Sequence, residues 1–247
     1  MFSEEWNKIL NEINEFQDSE KMGKVWFRGQ NASHYKLHSG LYRMGPSTPD
    51  FDHIATELTY YNLFKRMGYI HHKTEGWDLL FLMQHHGVKT RLLDWSESFA
   101  VALYFANLDW SHINPCSIWM LKPLKLNKET LGEEKYYIPE NSYEDIVNIN
   151  EPKLSDNSLA LYPMRNSTRI VAQHGMFTIQ GKSGLPLEEE LADRPDILKK
   201  INISSKLKKD VKKFLNISGV SQFTLFPDLD GLARYVNGQG VYKPRSN

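Results

Sequence analysis

Apolar residues recur at helical spacing in several segments of the chain. In residues 1–20 they fall on one helical face behind Ser3, which is placed as a cap, with Glu4 and Glu5 in the first turn. This pattern predicts an N-terminal helix that covers the core. A second segment repeats the three-to-four spacing and predicts a helix that ends near Gly68, after a loop over residues 46–50.

Two further segments are apolar nearly all round. The first predicts a helix that begins at Thr74 and stops at Gly87, and the second predicts a helix over residues 99–106. Helices without a polar face must be buried among other elements. The polar connection between them, residues 84–96, is therefore expected to be held by a rigid scaffold, which is a common setting for binding and catalytic residues.

Extended segments alternate with these helices. Residues 25–29 and 117–121 predict strands, residues 198–203 predict another, and residues 169–181 predict two extended pieces that meet at Gly175. Residues 122–163 have a weak pattern, typical of loops and short strands. Helices are predicted after Ser205 and in the tail beyond residue 226.

Together these elements predict an α+β fold, with mixed or antiparallel sheets around a central cleft and N-terminal and C-terminal helices packed against them. We expect one domain over residues 1–247. In it, residues 1–20 form the N-terminal helix, residues 25–181 form the core with the site, and residues 182–247 form a C-terminal helical and strand extension.

Composition and charge narrow the classes of function. The chain has 247 residues with 30 basic and 30 acidic side chains, so its net charge gives no support to a general polyanion grip or a membrane surface. The N-terminus lacks a basic flank followed by an apolar run, and no apolar stretch approaches the roughly 20 residues of a membrane span. We expect a cytoplasmic protein. Its single cysteine, Cys116, is expected to be reduced and buried.

Arg28 is the first candidate site residue, since it stands at the predicted end of an apolar strand. There its planar guanidinium can meet a phosphate or a carboxylate, and the following Gly29 lets a ligand approach the backbone. A structural ion pair with a core carboxylate such as Glu57 explains the same residue equally well. Both interpretations stay open at this stage.

The polar connection supplies the densest group of candidates. Its structural interpretation is an ion pair between Arg91 and Asp94, with Asp94 or Ser96 capping the helix that starts near Glu97. Its functional interpretation is a bound anion at that helix start, with a hydroxyl group beside it for a ring or an amide. A nucleotide diphosphate would suit both features. The candidate ligand-binding residues are Arg28, Gly29, Gln84, His85, Thr90, Arg91, Asp94 and Ser96.

His85 and His86 are adjacent, and adjacent residues on a helix point roughly 100° apart. The two rings would rarely reach one ion, and Cys116 offers no chelating spacing. No metal site is expected. One of the two histidines, together with Gln84, is expected to line the cleft.

Several segments resemble the FRG-domain family, named for its Phe-Arg-Gly motif. These are Phe27-Arg28-Gly29-Gln30 and residues 84–106, 169–177 and 226–231, of which residues 90–95 are the most specific. The resemblance implies a protein of bacteria or phages in a toxin-like or phage-defence setting. An antitoxin or other regulatory partner would accompany such a protein, whereas no membrane partner is implied.

A more distant likeness concerns ADP-ribosyltransferases of the Arg-Ser-Glu type. That likeness implies NAD as the substrate, with Arg28 at its phosphates or nicotinamide ribose and Thr90 or Ser96 at the nicotinamide pocket. Gln173 would take the place where the transferases have a glutamate. Glutamine keeps a hydrogen bond but loses the charge that favours an oxocarbenium-like transition state. Catalysis would then be weak, absent, or moved to Glu57 or Asp94.

Three functions follow as hypotheses. The first is an enzyme that cleaves NAD and passes ADP-ribose to a macromolecule or to water, with Arg28, Gln173 and Glu57 as its catalytic candidates. The second is a nuclease-like toxin that acts on RNA or DNA through Arg28, Glu57, Asp94 and His85 or His86. The third is a non-catalytic module that senses nucleotides or binds partners.

Overall fold

The computed structural model describes residues 1–45, 52–110, 113–139, 142–143 and 155–238. Its longer helices are α1 (Glu4–Asp18), α2 (His53–Gly68), α3 (Gly76–His85), α4 (Phe99–Asn107) and α5 (Pro123–Leu131), followed by the short α6 (Thr168–Ala172) and α7 (Leu187–Glu190), then α8 (Lys208–Ile217), α9 (Gln222–Leu225) and α10 (Leu229–Gly238). The strands are β1 (Trp26–Gln30), β2 (Leu92–Ser96), β3 (Cys116–Leu121), β4 (Leu159–Leu161), β5 (Gly175–Ile179) and β6 (Leu198–Ile203). Two 3₁₀ turns lie at Tyr42–Met44 and Ser205–Leu207.

The six strands form one sheet in the order β4-β5-β2-β1-β3-β6, with every neighbouring pair antiparallel. β1 pairs with β3 along its whole length, from Trp26 opposite Leu121 to Gln30 opposite Ser117. β2 pairs in the same way with β5. The predicted α+β class with an antiparallel sheet is therefore confirmed.

The centre of the sheet is discontinuous. Within the described residues, β1 and β2 are paired at a single position, Phe27 opposite Ser96. Beyond that pair the two strands are not paired, and Nη1 of Arg28 in β1 donates to the carbonyl oxygen of Asp94 in β2 at 2.6 Å. The predicted central cleft opens where the strands part.

Three apolar clusters cover the two faces of the sheet. α1, α4 and α8 pack with Phe27 and with β3 and β6 on one face, and α2 and α3 pack against β2 and β5 beside them. On the opposite face, Trp26, Leu93 and Trp95 pack with residues of α5 and α7. Burial of this apolar surface is the main stabilising contribution to the fold.

Most of the predicted elements are confirmed. Ser3 caps α1, accepting a hydrogen bond from the Trp6 amide at 3.2 Å, and α2 ends at Gly68 as expected. The strands at β1, β3 and β6 and the tail helix α10 also match the sequence patterns. The loop predicted over residues 46–50 lies outside the described residues.

Four details of the prediction were wrong. Residues 92–96 form a strand, where only a connection was expected, and α5 occupies a segment that was assigned to loops and short strands. α3 begins at Gly76, two residues after the predicted start. Residues before Gly175 form α6, capped by Ser167, and not an extended piece, so that Gln173 lies at the end of a helix.

Cys116 is fully buried in β3, as its apolar neighbours predicted. Burial raises the pKa of its thiol to about 12, which keeps the thiol protonated at neutral pH. Among the described residues, no helix has the length and apolar character needed to cross a bilayer.

Gly29 has a packing role that the sequence did not indicate. A Cβ atom at this position would overlap the carbonyl oxygen of Ala102 in α4, so the helix rests directly on the backbone of β1. We therefore expect Gly29→Ala to destabilise the protein by about 1–3 kcal/mol or more, as overpacking does. Chemical unfolding measures this difference. Gly238→Ala, which meets nothing within 4 Å, is the control and should stay within about 0.5 kcal/mol of wild type.

Candidate functional site

The cleft between β1 and β2 has a volume of about 430 Å³. This size is within the range of about 300–1,000 Å³ that is usual for small-molecule sites. The ends of α3 and α6, one face of α4 and the start of β5 complete its walls. Its polar lining comprises Arg28, Gln30, Asn31, Tyr35, Arg43, Gln84, His85, Asp94, Ser96, Asp109, Arg169 and Gln173.

Arg28 lies between the separating strands, with 18% of its side chain exposed. Its Nη1 also lies 3.8 Å from Oδ2 of Asp94, while its buried Nε has no hydrogen-bond partner among the described residues. Burial lowers the pKa of Arg28, Asp94 opposes that shift, and the nearby Arg43 adds to it. Arg28 therefore brings a poorly solvated positive charge and an unused donor to the cleft.

Asp94 is the exposed carboxylate at the centre of the cleft. Its side chain is 59% exposed, although its neighbours in β2 are buried. Its Oδ2 accepts a hydrogen bond from Nε2 of Gln84 at 2.7 Å, and Oε1 of Gln84 accepts one from the Thr90 hydroxyl at 2.7 Å. Thr90 itself is fully buried and does not line the cleft.

Arg169 and His85 form the wall on the other side of Asp94. Nη1 of Arg169 donates to the carbonyl oxygen of His85 at 3.5 Å, and its guanidinium lies 4.8 Å from the ring centre of Phe226. Burial lowers the pKa of His85, and the charges of Arg169 and His86 lower it further. A neutral imidazole is therefore favoured in the cleft at pH 7. His85, and not His86, is the histidine that lines the cleft.

Gln173 and Ser96 lie in the cleft wall and hold it together. Nε2 of Gln173 donates to the Leu225 carbonyl at 3.1 Å, and the Ser96 hydroxyl donates to the Gln173 carbonyl at 2.7 Å. Ser96 also accepts from the Ser98 amide at 3.0 Å. The sequence suggested Asp94 or Ser96 as the cap of α4, but neither residue caps it. That cap is Ser98, which accepts from the Val101 amide.

Glu57 and Arg91 lie outside the cleft in a fully buried ion pair. The Glu57 carboxylate accepts from both the backbone amide and Nε of Arg91, each at 2.6 Å, and the Tyr143 hydroxyl contacts both side chains. Burial acts to lower the pKa of Arg91, but Glu57, Tyr143 and Tyr42 together outweigh burial and raise it. The expected pairs of Arg28 with Glu57 and of Arg91 with Asp94 were therefore wrong.

The structure brings together seven of the ten predicted site residues: Arg28, Gly29, Gln84, His85, Asp94, Ser96 and Gln173. Arg43, Arg169 and Tyr35 also line the cleft and were not singled out from the sequence. Arg169 stands only four residues before Gln173 and was within reach of sequence reasoning. Arg43 lies in the short 3₁₀ turn Tyr42–Met44 and Tyr35 lies outside any helix or strand, so no periodicity marks either residue. In the described part of the chain, no group of three or more His, Cys, Asp or Glu residues is placed to hold a metal ion.

The fold and its cleft define an α+β protein with a ligand-sized polar site in a split antiparallel sheet. Residues 23–114 match the family model of the FRG domain. The match spans β1 to α4 and includes Arg28, Gln84, His85 and Asp94, but it ends before Arg169 and Gln173. No curated protein and no solved structure matches the chain.

Proposed function

We propose that this protein binds NAD in the cleft, cleaves its nicotinamide glycosidic bond and passes ADP-ribose to water or to a macromolecular target. The supporting observation is the combination of three guanidinium groups, those of Arg28, Arg43 and Arg169, with the exposed carboxylate of Asp94 in one cleft. A dinucleotide carries both an anionic diphosphate and a sugar that becomes cationic during cleavage, so its binding calls for both kinds of charge.

The arginine side chains of the cleft favour the binding of an anion on electrostatic grounds. Arg28 and Arg43 are close enough that the charge of Arg43 lowers the pKa of Arg28, and Nε of Arg28 has no partner among the described residues. A bound diphosphate would relieve the repulsion between the two guanidiniums and satisfy the unused donor. Arg169 would supply a third contact from the opposite wall.

Asp94 would assist the cleavage of the glycosidic bond. When the bond between the ribose carbon and the nicotinamide nitrogen breaks, its electron pair goes to the nitrogen and neutral nicotinamide leaves. The sugar is then electron-poor, and a carboxylate held beside it lowers the barrier electrostatically. Water or a nucleophile of the target then forms the new bond and loses a proton. Asp94 replaces the charge that Gln173 lacks, and Glu57 is left out because it is buried in its ion pair with Arg91.

Incubation of the purified protein with NAD, with nicotinamide release as the readout, tests this proposal. We expect turnover by the wild type and a fall of about 10²–10³-fold in kcat for Asp94→Asn, which keeps the shape of the side chain but removes its charge. Asp196→Asn changes an exposed carboxylate paired with Arg194, outside the cleft, and serves as the control. NAD binding without any nicotinamide release would favour the sensing module.

One observation favours a second candidate, a nuclease-like activity. The lowered pKa of His85 keeps its imidazole neutral beside Arg169, as a general base next to a phosphate-binding group would be. Degradation of RNA or DNA that is lost in His85→Ala, in the absence of nicotinamide release, would support this candidate over NAD cleavage.

A further inference from the structure

We infer that Gln84 and Thr90 are positioning residues that hold the Asp94 carboxylate in one orientation beside the sugar of the substrate, through a series of hydrogen bonds from Thr90 to Gln84 to Asp94. This inference rests on the proposed role of Asp94 in the cleft. Gln84 lies near the end of α3, Thr90 precedes β2, and Asp94 is the third residue of β2. These hydrogen bonds therefore connect the end of α3, the segment before β2 and β2 itself.

The direction of these hydrogen bonds is set by Asp94, because an ionised carboxylate can only accept, so that Gln84 must donate to it through Nε2. The backbone amide of Leu92 donates to Oγ1 of Thr90 at 3.1 Å, and the Thr90 hydroxyl donates to Oε1 of Gln84 at 2.7 Å. With its oxygen turned towards Thr90, Gln84 presents its NH₂ group to Oδ2 of Asp94 at 2.7 Å.

The opposite orientation of the Gln84 amide would be unfavourable. It would place the amide oxygen against the carboxylate of Asp94, so two acceptors would face each other. In the favoured orientation, the buried Thr90 hydroxyl, 0% exposed, donates to the amide oxygen of Gln84 and so stabilises the arrangement in which Gln84 donates to Asp94. Because Gln84 is neutral, it orients the carboxylate without cancelling its charge.

The arrangement leaves one oxygen of Asp94 for the substrate. In the part of the chain that the structure describes, Oδ2 is held by Gln84 and no hydrogen bond is made to Oδ1. The charged or titratable groups that face Asp94 are Arg28 from β1, Arg169 from α6 and His85 from α3. Those groups set the field around the carboxylate, whereas the Thr90–Gln84–Asp94 chain sets its direction.

A pair of substitutions at Thr90 tests the inference. Thr90→Val keeps the shape but removes the hydroxyl, and we expect kcat for nicotinamide release to fall about tenfold with KM changed less than about threefold. Thr90→Ser keeps the hydroxyl, and its kcat should stay within about threefold of wild type. Thr130→Val removes a hydroxyl that donates to the Ser158 carbonyl at 2.6 Å; neither residue lines the cleft, so this variant is the control for general destabilisation.

A second variant and a second readout keep the test decisive. Gln84→Leu should reproduce the fall in kcat if Thr90→Val does not fold. The NMR signal of the Gln84 side-chain amide, assigned by its loss in Gln84→Leu, should move in Thr90→Ser less than in Thr90→Val and stay in place in Thr130→Val.

The outcomes separate this inference from the proposed function. Wild-type turnover with equal kcat in Thr90→Val, Gln84→Leu and the wild type overturns the positioning role and leaves NAD cleavage standing. Absence of wild-type turnover overturns NAD cleavage. In that case, a Gln84 amide signal that is indifferent to Thr90→Val and to Asp94→Asn overturns the hydrogen-bonded chain as well.

Discussion

Replacement of Glu57 by glutamine should lower the free energy of unfolding by about 3–5 kcal/mol, because it leaves the buried guanidinium of Arg91 without a countercharge. Both side chains are fully buried, and water cannot reach Arg91 to compensate for the loss. The ion pair also anchors α2 to the residue just before β2. Chemical denaturation followed by circular dichroism measures the effect.

Glu12→Gln provides the matched control for this prediction. Glu12 forms an ion pair with Lys199 at 2.9 Å, but about 40% of each side chain is exposed, and such pairs contribute only about 0–1 kcal/mol. Equal effects of Glu57→Gln and Glu12→Gln would show that burial of the Glu57–Arg91 pair does not control the stability of this fold.

Arg28→Ala should abolish NAD binding and nicotinamide release while the folded structure persists. Among the described residues, Nε of Arg28 has no hydrogen-bond partner, and its Nη1 donates to the Asp94 carbonyl. We expect a loss of at least about 10²-fold in kcat/KM, as for removal of a charge-stabilising donor. Arg28→Lys should restore little, because an ammonium lacks the planar fork.

Isothermal titration with NAD and the nicotinamide assay measure these effects, and thermal melting reports on the fold. Arg194→Ala is the control, since it removes a guanidinium from ion pairs with Glu129 and Asp196 outside the cleft. Normal turnover in a stable Arg28→Ala protein would remove Arg28 from the site.

The sequence was sufficient for elements whose signals are local. α1 carries its own cap in Ser3 and a one-sided apolar pattern, and β6 is a short run with β-branched residues, so both were predictable without knowledge of their neighbours. The FRG-type motif also marked Arg28 and part of the polar connection, namely Gln84, His85, Asp94 and Ser96, which line the cleft.

Elements that depend on distant partners were missed. β2 is buried at Leu92, Leu93, Trp95 and Ser96, so it shows no alternation, and only its pairing with β5 reveals a strand. α6 contains β-branched residues, which favour the prediction of an extended segment. The segment is nevertheless helical: Ser167 caps its start, and the left-handed backbone of His174 follows its end. In the sequence, the signals from Ser167 and His174 are weaker than the β-branched pattern.

The pairing of charged side chains was equally out of reach. Glu57 and Arg91 are 34 residues apart, and no local spacing distinguishes Arg91 from Arg28 as the partner of Glu57. The choice depends on how α2 packs beside β2, which is a property of the folded chain. For the same reason, sequence alone left Glu57 among the catalytic candidates.

Because β1 and β2 are paired at only one position, the sheet consists of two three-stranded halves that are joined by one residue pair. Along the gap, β1 and β2 do not make the ladder of a continuous sheet, and the Arg28 guanidinium binds a main-chain carbonyl of β2, that of Asp94. A ligand in the gap can thus be recognised by the backbone as well as by side chains. Side-chain substitutions cannot remove this recognition by the backbone, whereas a change in the separation of the two halves of the sheet would remove it.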